Sequence, residues 1–365
     1  MKRLESLDAL RGFDMFFIMG GAGLIAAIAS LFPESGCWQT IAEQMDHVSW
    51  EGLRHHDTIF PLFLFIAGVS FPFSLAKQEE SGKSMCAIYA KIVRRGIILV
   101  LLGMIYNGML DMEFSTLRFP SVLARIGLGW MFAALLYTWC RNWKVLLGTV
   151  IFILIGYWLV LLFVESPIAN GADPFSREGC IVCYWDSHML GAHSYQPDYD
   201  PEGFVSTFPG IATALLGVLA GIWLKQPEVD GKKKTLVLVA CGVACALLGW
   251  AWSYSFPIVK ALWSSSFVLA VGGYSFLMLA LFYYLIDVRG WRSWDKFFVV
   301  IGMNSITIYL AQRFIPFGSI AGRIFGGFSK LFGEQWENIL IKLAYIAVCW
   351  LFLYFLYKKK TFLKI

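Results

Sequence analysis

The densest run of proton-handling groups is DHVSWEGLRHHDTIFPLFLFIAGVS, where His47, Glu51, His55, His56 and Asp57 lead into an apolar stretch containing Pro61 and Gly68. An imidazole titrates near about pH 6.5, so a histidine at a lipid–water boundary can take a proton at neutral pH. His47 is the candidate general base, and the other reading is an interfacial histidine on an amphipathic helix. Asp57 sits where a helix begins and can accept backbone N–H groups there. If Gly52 bends the chain, the same carboxylate can orient an imidazole ten residues upstream. Glu51, at i+4 from His47, meets it directly if one helix runs through both.

Four further groups of polar residues fall in or beside apolar runs. Arg125, in FPSVLARIGLGW, lies six residues inside its run, about 9 Å below Phe119 at about 1.5 Å per residue. A charge at that depth needs a partner or a wet cavity, which makes it a functional candidate or half of an ion pair. In LDALRGFDMFFIMGGAG, Arg11 and Asp14 are spaced to pair on one helical face, and Gly20, Gly21 and Gly23 thin the helix for packing or for a ligand path. Lys91, Arg94 and Arg95 either set topology or form a phosphate-binding rim. Asn304, Gln312 and Arg313, in GMNSITIYLAQRF, draw a polar line that serves helix pairing or a ligand.

Cys180 and Cys183 form one C-x-x-C in a long polar segment that also holds His188 and His193. Two more ligands would be needed for zinc, so a disulfide or free thiols are expected and no metal.

The elements that must hold these residues are membrane helices. With 58% hydrophobic, 17% aromatic and 15% charged residues, mean hydropathy +0.64 and 365 residues, a water-soluble globule would expose far too much apolar surface. Apolar runs predict ten spans, near 14–32, 58–76, 88–107, 119–139, 145–164, 205–224, 235–255, 264–286, 297–314 and 339–357. The fold class expected is all-α, a polytopic helical bundle making one domain over 1–365, without internal repeats. The first run, with Asp14 at its start, reads as a retained span rather than a cleaved signal. Between 33 and 57, Cys37, Trp38, Ile41, Met45 and Val48 recur at helical spacing and predict a surface amphipathic helix.

The net charge of +5 matters less than where the positive residues sit, because nucleic acid would need a basic surface whereas membrane orientation needs only a loop bias, and no nucleic-acid partner is expected. Of the 30 Lys and Arg, 21 fall in alternate connections, including Lys2, Arg3, Lys83, Lys232, Arg292, Lys359 and Lys364. The positive-inside bias therefore predicts cytoplasmic termini and an even span count.

Four segments in order, HVSWEGLRHHDTIFPLFLFIAGVSFPFS, FPSVLARIGLGW, DPEGFVSTFPGIATALLGVLAG and GMNSITIYLAQR, resemble the heparan-alpha-glucosaminide N-acetyltransferase-like family of transmembrane acyltransferases. The DALRGFDMF opening is similar to its bacterial branch. The resemblance covers nearly the whole chain and implies transfer of an acetyl group from cytosolic acetyl-CoA to a sugar amine or hydroxyl across the membrane. It implies that His47 is the active-site histidine, with Asp57 as its acidic partner and Arg125 as the arginine of the R-I-x-L segment. No Asn near Gly20–Gly23 matches the polar residue that the lysosomal enzyme carries before its histidine.

Taken together, these readings put His47 and Asp57 in catalysis, Arg125, Arg94, Arg95, Arg11 and Asn304 along the acetyl-CoA co-substrate, and Glu51 and His188 beside the acceptor. The partners expected are acetyl-CoA, a sugar or glycan acceptor and membrane lipid, with a homodimer left open. The expected location is a bacterial inner membrane with the longer loops periplasmic. The competing class is a secondary transporter of a small polar or anionic solute, which would use the same intramembrane arginine and glycine-interrupted helices but commonly carries repeats.

Overall fold

Lipid offers no hydrogen bonds to the backbone, so a spanning segment must satisfy its own N–H and C=O groups, and the helix does so within one stretch of chain. The computed structural model of the protein describes residues 4–363. Lys2, Arg3 and Lys364, counted above as cytoplasmic cations, lie outside the described residues. Among those described no strand forms, and the one extended pairing is a bridge between Glu51 and Val259.

The predicted spans each correspond to a helical element. The first is α1 (Glu5–Phe16) continued by α2 (Ala22–Ala29). After the short α3 (Gly36–Glu43) come α4 (His55–Glu80), α5 (Met85–Tyr106), α6 (Val122–Trp139) and α7 (Trp143–Phe163). The small α8 (Ile181–Leu190) precedes α9 (Phe204–Leu224), α10 (Gly231–Ser253) and α11 (Ser265–Phe282). The last group is α12 (Asp295–Gly302), α13 (Ser305–Phe314), α14 (Phe317–Ser329) and α15 (Glu334–Lys358). Among the described residues eight helices are long and apolar enough to cross a membrane, and α12 with α13 makes a ninth bent by 67°. The remaining predicted span is α5, 22 residues long and carrying Lys91, Arg94 and Arg95 in its first half.

Contacts at the two ends of the bundle follow the alternation these spans require. At one end Glu5 pairs with Arg292 (3.0 Å) and Arg141 with Glu79 (2.7 Å). At the other, Trp50 Nε1 donates to the Phe175 carbonyl (3.0 Å) and Arg118 pairs with Asp200 (2.6 Å). The connections before α4, α6, α9 and α11 therefore meet at one end of the bundle.

Its centre is the pair α4 and α9, whose backbones nearly touch. A Cβ on Gly217 would stand 2.1 Å from the Phe65 carbonyl oxygen, and one on Gly68 would stand 2.2 Å from that of Ala214. Small residues permit this approach, and it brings the start of α4 beside the start of α9.

Three local expectations are corrected. The amphipathic helix ends at Glu43, and the chain from His47 to Arg54 is irregular, so His47 and Glu51 do not share a helix turn. Gly20 is a break rather than part of a thin straight helix: its φ of 125° lies within the π-helical turn Phe17–Gly21, against Tyr345 and Ile346. Arg11 pairs with Asp8 (3.5 Å) and donates to Ser70 Oγ (3.3 Å), whereas Asp14 is buried.

Candidate functional site

The site grows from the first turn of α4. Asp57 is its third residue, and its carboxylate divides its two oxygens between two tasks. Oδ2 accepts the Arg54 N–H (3.2 Å) and the Val48 N–H (3.4 Å), capping the helix. Oδ1 lies 2.7 Å from His47 Nδ1 and 3.2 Å from Lys260 Nζ. Asp57 is fully buried, while the His47 side chain is 44% exposed. Gly52, at φ 121°, makes the turn that brings the histidine back over the helix start.

A carboxylate beside Nδ1 favours the tautomer with the proton on that nitrogen, because N–H to O⁻ is a charge-assisted bond. Nε2 then carries the lone pair, and no hydrogen bond from a described residue occupies it. In that tautomer the nitrogen carrying the lone pair is directed away from the carboxylate; in the other, Nδ1 accepts from Lys260 and Nε2 carries the proton.

Lys260 arrives from the connection between α10 and α11. The Glu51–Val259 bridge and the Gly52 N–H to Ile258 carbonyl bond (2.9 Å) clip that connection to the His47 loop. Tyr157 Oη donates to the Leu262 carbonyl (2.7 Å), and Trp263 Nε1 donates to Thr213 Oγ1 (3.1 Å), so the same connection is anchored to α7 and α9. Lys260 Nζ thereby lies 3.0 Å from His47 Nδ1. Burial pulls the ammonium pKa down, and the neighbouring Asp57 charge opposes that shift.

Arg125 is buried in the first turn of α6, because Ser121 is extended and caps the helix, and residues 117–121 before Val122 are not helical. It is therefore shallower than its place in the apolar run implied. It donates to Ser206 Oγ on α9 and lies 4.6 Å from the centre of the Trp263 ring, so its contacts are a hydroxyl and an aromatic face rather than an acid at salt-bridge distance. Arg125, Lys260, Glu202, Trp263, Phe60, Val122 and Ile126 line one small chamber.

Phe60, Val122 and Ile126 also line a cavity of about 230 Å³ that extends toward the other end of the bundle. Its polar lining includes Arg11, Ser70, Arg95, Asn304 and Thr307. The guanidinium of Arg95 lies 4.2 Å from the Trp130 ring centre, and its buried Nε has no hydrogen-bond partner among the described residues. Asn304 stands at the α12–α13 bend, which turns the chain into this cavity. Met303 also lines an open recess of about 640 Å³ that bears Lys358 and Lys360 alongside Glu5 and Asp8. The three spaces thus share walls in series, and Lys260, in the wall of the small chamber, is the residue that touches the His47 and Asp57 side chains.

Several sequence candidates lie elsewhere. Arg94 is exposed and lines neither cavity, because it is one residue round the helix from Arg95. Glu51 is exposed and acts through its backbone bridge to Val259. His188 is exposed and turned to the Tyr184 carbonyl of its own helix (2.9 Å). His193 is bound to the Leu117 carbonyl (2.8 Å), so neither histidine meets the buried free thiols of Cys180 and Cys183. The polar line of the ninth span is broken by the bend: Gln312 donates to the Ile18 carbonyl (3.4 Å) and Arg313 is exposed. Sequence reasoning missed Lys260, whose signal was a lone lysine in the otherwise apolar connection FPIVKALW.

These features define an all-helical polytopic membrane protein in which a buried Asp57 and a largely buried Lys260 meet a part-exposed His47 beside an internal chamber. No family model matches the chain. It is similar over its whole length to heparan-alpha-glucosaminide N-acetyltransferase of Homo sapiens, at 28% identity, and of Mus musculus, at 29%. It spans 60% and 61% of the length of those relatives.

Proposed function

We propose that this protein is a transmembrane acyltransferase that moves an acetyl group from cytosolic acetyl-CoA to a sugar amine or hydroxyl on the opposite side. The observation that carries the reading is the shared lining of the two cavities by Phe60, Val122 and Ile126. They form the common wall between a small chamber lined by Lys260, which bonds Asp57, and a passage edged by Arg11 and Arg95. Coenzyme A is too highly charged to cross hydrocarbon, but its narrow pantetheine arm can lie in such a passage. The full-length similarity to the two N-acetyltransferases supports the same reaction class.

In this reading the phosphates stay at the mouth near Lys358, Lys360 and Arg11, and Arg95 supplies a further donor. Arg125 keeps positive charge near the thioester end. The acceptor approaches the exposed face of His47, whose Nε2 takes its proton while Asp57 stabilises the imidazolium. Direct transfer needs no acetyl-imidazole beside water and is the route we favour. The orientation, with both termini cytoplasmic and the His47 side periplasmic in a bacterial inner membrane, rests on the positive-inside bias.

The test is purified protein in liposomes with labelled acetyl-CoA outside and a panel of hexosamines inside, and the reverse. Label appearing in a sugar on the side opposite the donor is expected. Solute flux without covalent product would instead establish the transporter reading.

A further inference from the structure

Lys260 is the charged group of the cluster to which no reading so far assigns a role. Its ammonium faces Asp57 and His47 on one side and lines the chamber with Arg125 and Glu202 on the other. The Phe60 ring lies 5.6 Å away. Its side chain is 15% exposed, and the main chain around it is fastened to the His47 loop. A cation held this way, between the small chamber and His47, is pre-oriented before any substrate arrives. With the His47 Nδ1 proton donated to Asp57, the lysine keeps N–H donors beyond its bond to Asp57 Oδ1.

We infer that Lys260 is a catalytic residue, donating a hydrogen bond to the thioester carbonyl oxygen as that oxygen becomes an oxyanion. The inference rests on the acyltransfer reading above. The acceptor nitrogen or oxygen attacks the thioester carbon, forming the new bond while the carbonyl π pair moves to oxygen. His47 Nε2 takes the proton from the attacking group, and Lys260 Nζ–H stabilises the oxyanion. Collapse restores the carbonyl and breaks the C–S bond. The departing thiolate receives the proton from His47, so acetylated acceptor and free thiol leave and both side chains return to their starting states.

The groups facing Lys260 make the alternative definite. Asp57 and Glu202 support its charge and Arg125 opposes it, while His47 lies 3.0 Å away; a lysine that only tuned His47 would shift the acid limb of the pH–rate profile without lowering the plateau.

The experiment compares the full chain with Lys260→Met and Lys260→Arg, using acetyl-CoA with a hexosamine that the unaltered protein acetylates. Removing one oxyanion donor typically costs about 10²- to 10³-fold in kcat. That loss is expected for Lys260→Met, with acetyl-CoA Kd within about threefold of the parent protein, and the arginine variant should recover about tenfold or more of the loss by retaining a cationic donor. Lys260→Gln serves in the same comparison if the methionine variant does not fold. A normal plateau kcat with a shifted acid limb overturns the proposal, as does an equal loss in kcat and donor binding. Failure of the unaltered protein to acetylate any acceptor overturns the acyltransfer reading and this one with it; a fully active Lys260→Met overturns this one alone.

Discussion

His47 Nδ1 and Asp57 Oδ1 are 2.7 Å apart, although His47 lies in irregular chain and Asp57 in the first turn of a helix. The contact exists because the carboxylate spends only its other oxygen on capping. One residue therefore both starts α4 and holds the imidazole. This divides the expected effects of substitution between chemistry and stability.

His47→Ala should reduce sugar acetylation by about 10²- to 10⁴-fold while leaving acetyl-CoA binding in place. Binding by calorimetry and single-turnover transfer, measured on the same folded sample, separate the two. A wild-type rate removes His47 from the mechanism. Trapping labelled acetyl on His47 without acceptor would replace direct transfer by a two-step route.

Arg125→Met removes a buried guanidinium from Ser206 and from the Trp263 face. Transfer should fall strongly, because the chamber loses one of its cations. A folded variant with normal donor affinity and turnover would make Arg125 a packing residue.

Single cysteines introduced into a cysteine-free background test the orientation. Lys232→Cys should react with an impermeant maleimide only from the cytoplasmic side, and Tyr195→Cys only from the opposite side. The inverse pattern would reverse the direction of transfer.

Asp186 couples stability to pH. It is buried, accepts the Val205 N–H (3.1 Å) at the start of α9, and has its pKa raised to about 6 by burial, against the lowering effect of that bond. A carboxyl whose pKa rises on folding favours the folded state below its unfolded value, near about 4, and loses that contribution as pH climbs through about 6. Asp186→Asn should flatten the melting temperature of the detergent-solubilised protein across pH 4 to 6 relative to wild type. An unchanged pH slope would show that Asp186 does not carry it.

Gly217→Leu should force α4 and α9 apart, since even a Cβ meets the Phe65 carbonyl at 2.1 Å. The expected result is a lower melting temperature together with loss of transfer, because both helix starts carry the site. Overpacking of this kind commonly costs about 1–3 kcal/mol. A variant as stable as wild type would mean that the interface yields elsewhere.

The positions and order of the apolar helices were legible in the sequence because lipid imposes a long apolar run on each crossing, and that signal is local, whereas the expected count of ten stands against eight, or nine with the bent pair, among the described residues. His47, Asp57 and Arg125 were visible for a related reason: a charge or imidazole at the edge of such a run must be accounted for by a neighbour or by water. What the sequence left open was which neighbours those are. Asp14 and Arg11 have helical spacing, yet Arg11 turns to Asp8 and Ser70; Arg94 and Arg95 are adjacent, yet only Arg95 lines the passage. Lys260 is 213 positions from His47 and reaches it only after α4 and α9 have closed on their glycines and the Glu51–Val259 bridge has joined two loops. Helical periodicity determines which residues share a face, whereas the pairing of faces and the meeting of loops depend on packing between distant helices, which the tertiary structure alone decided.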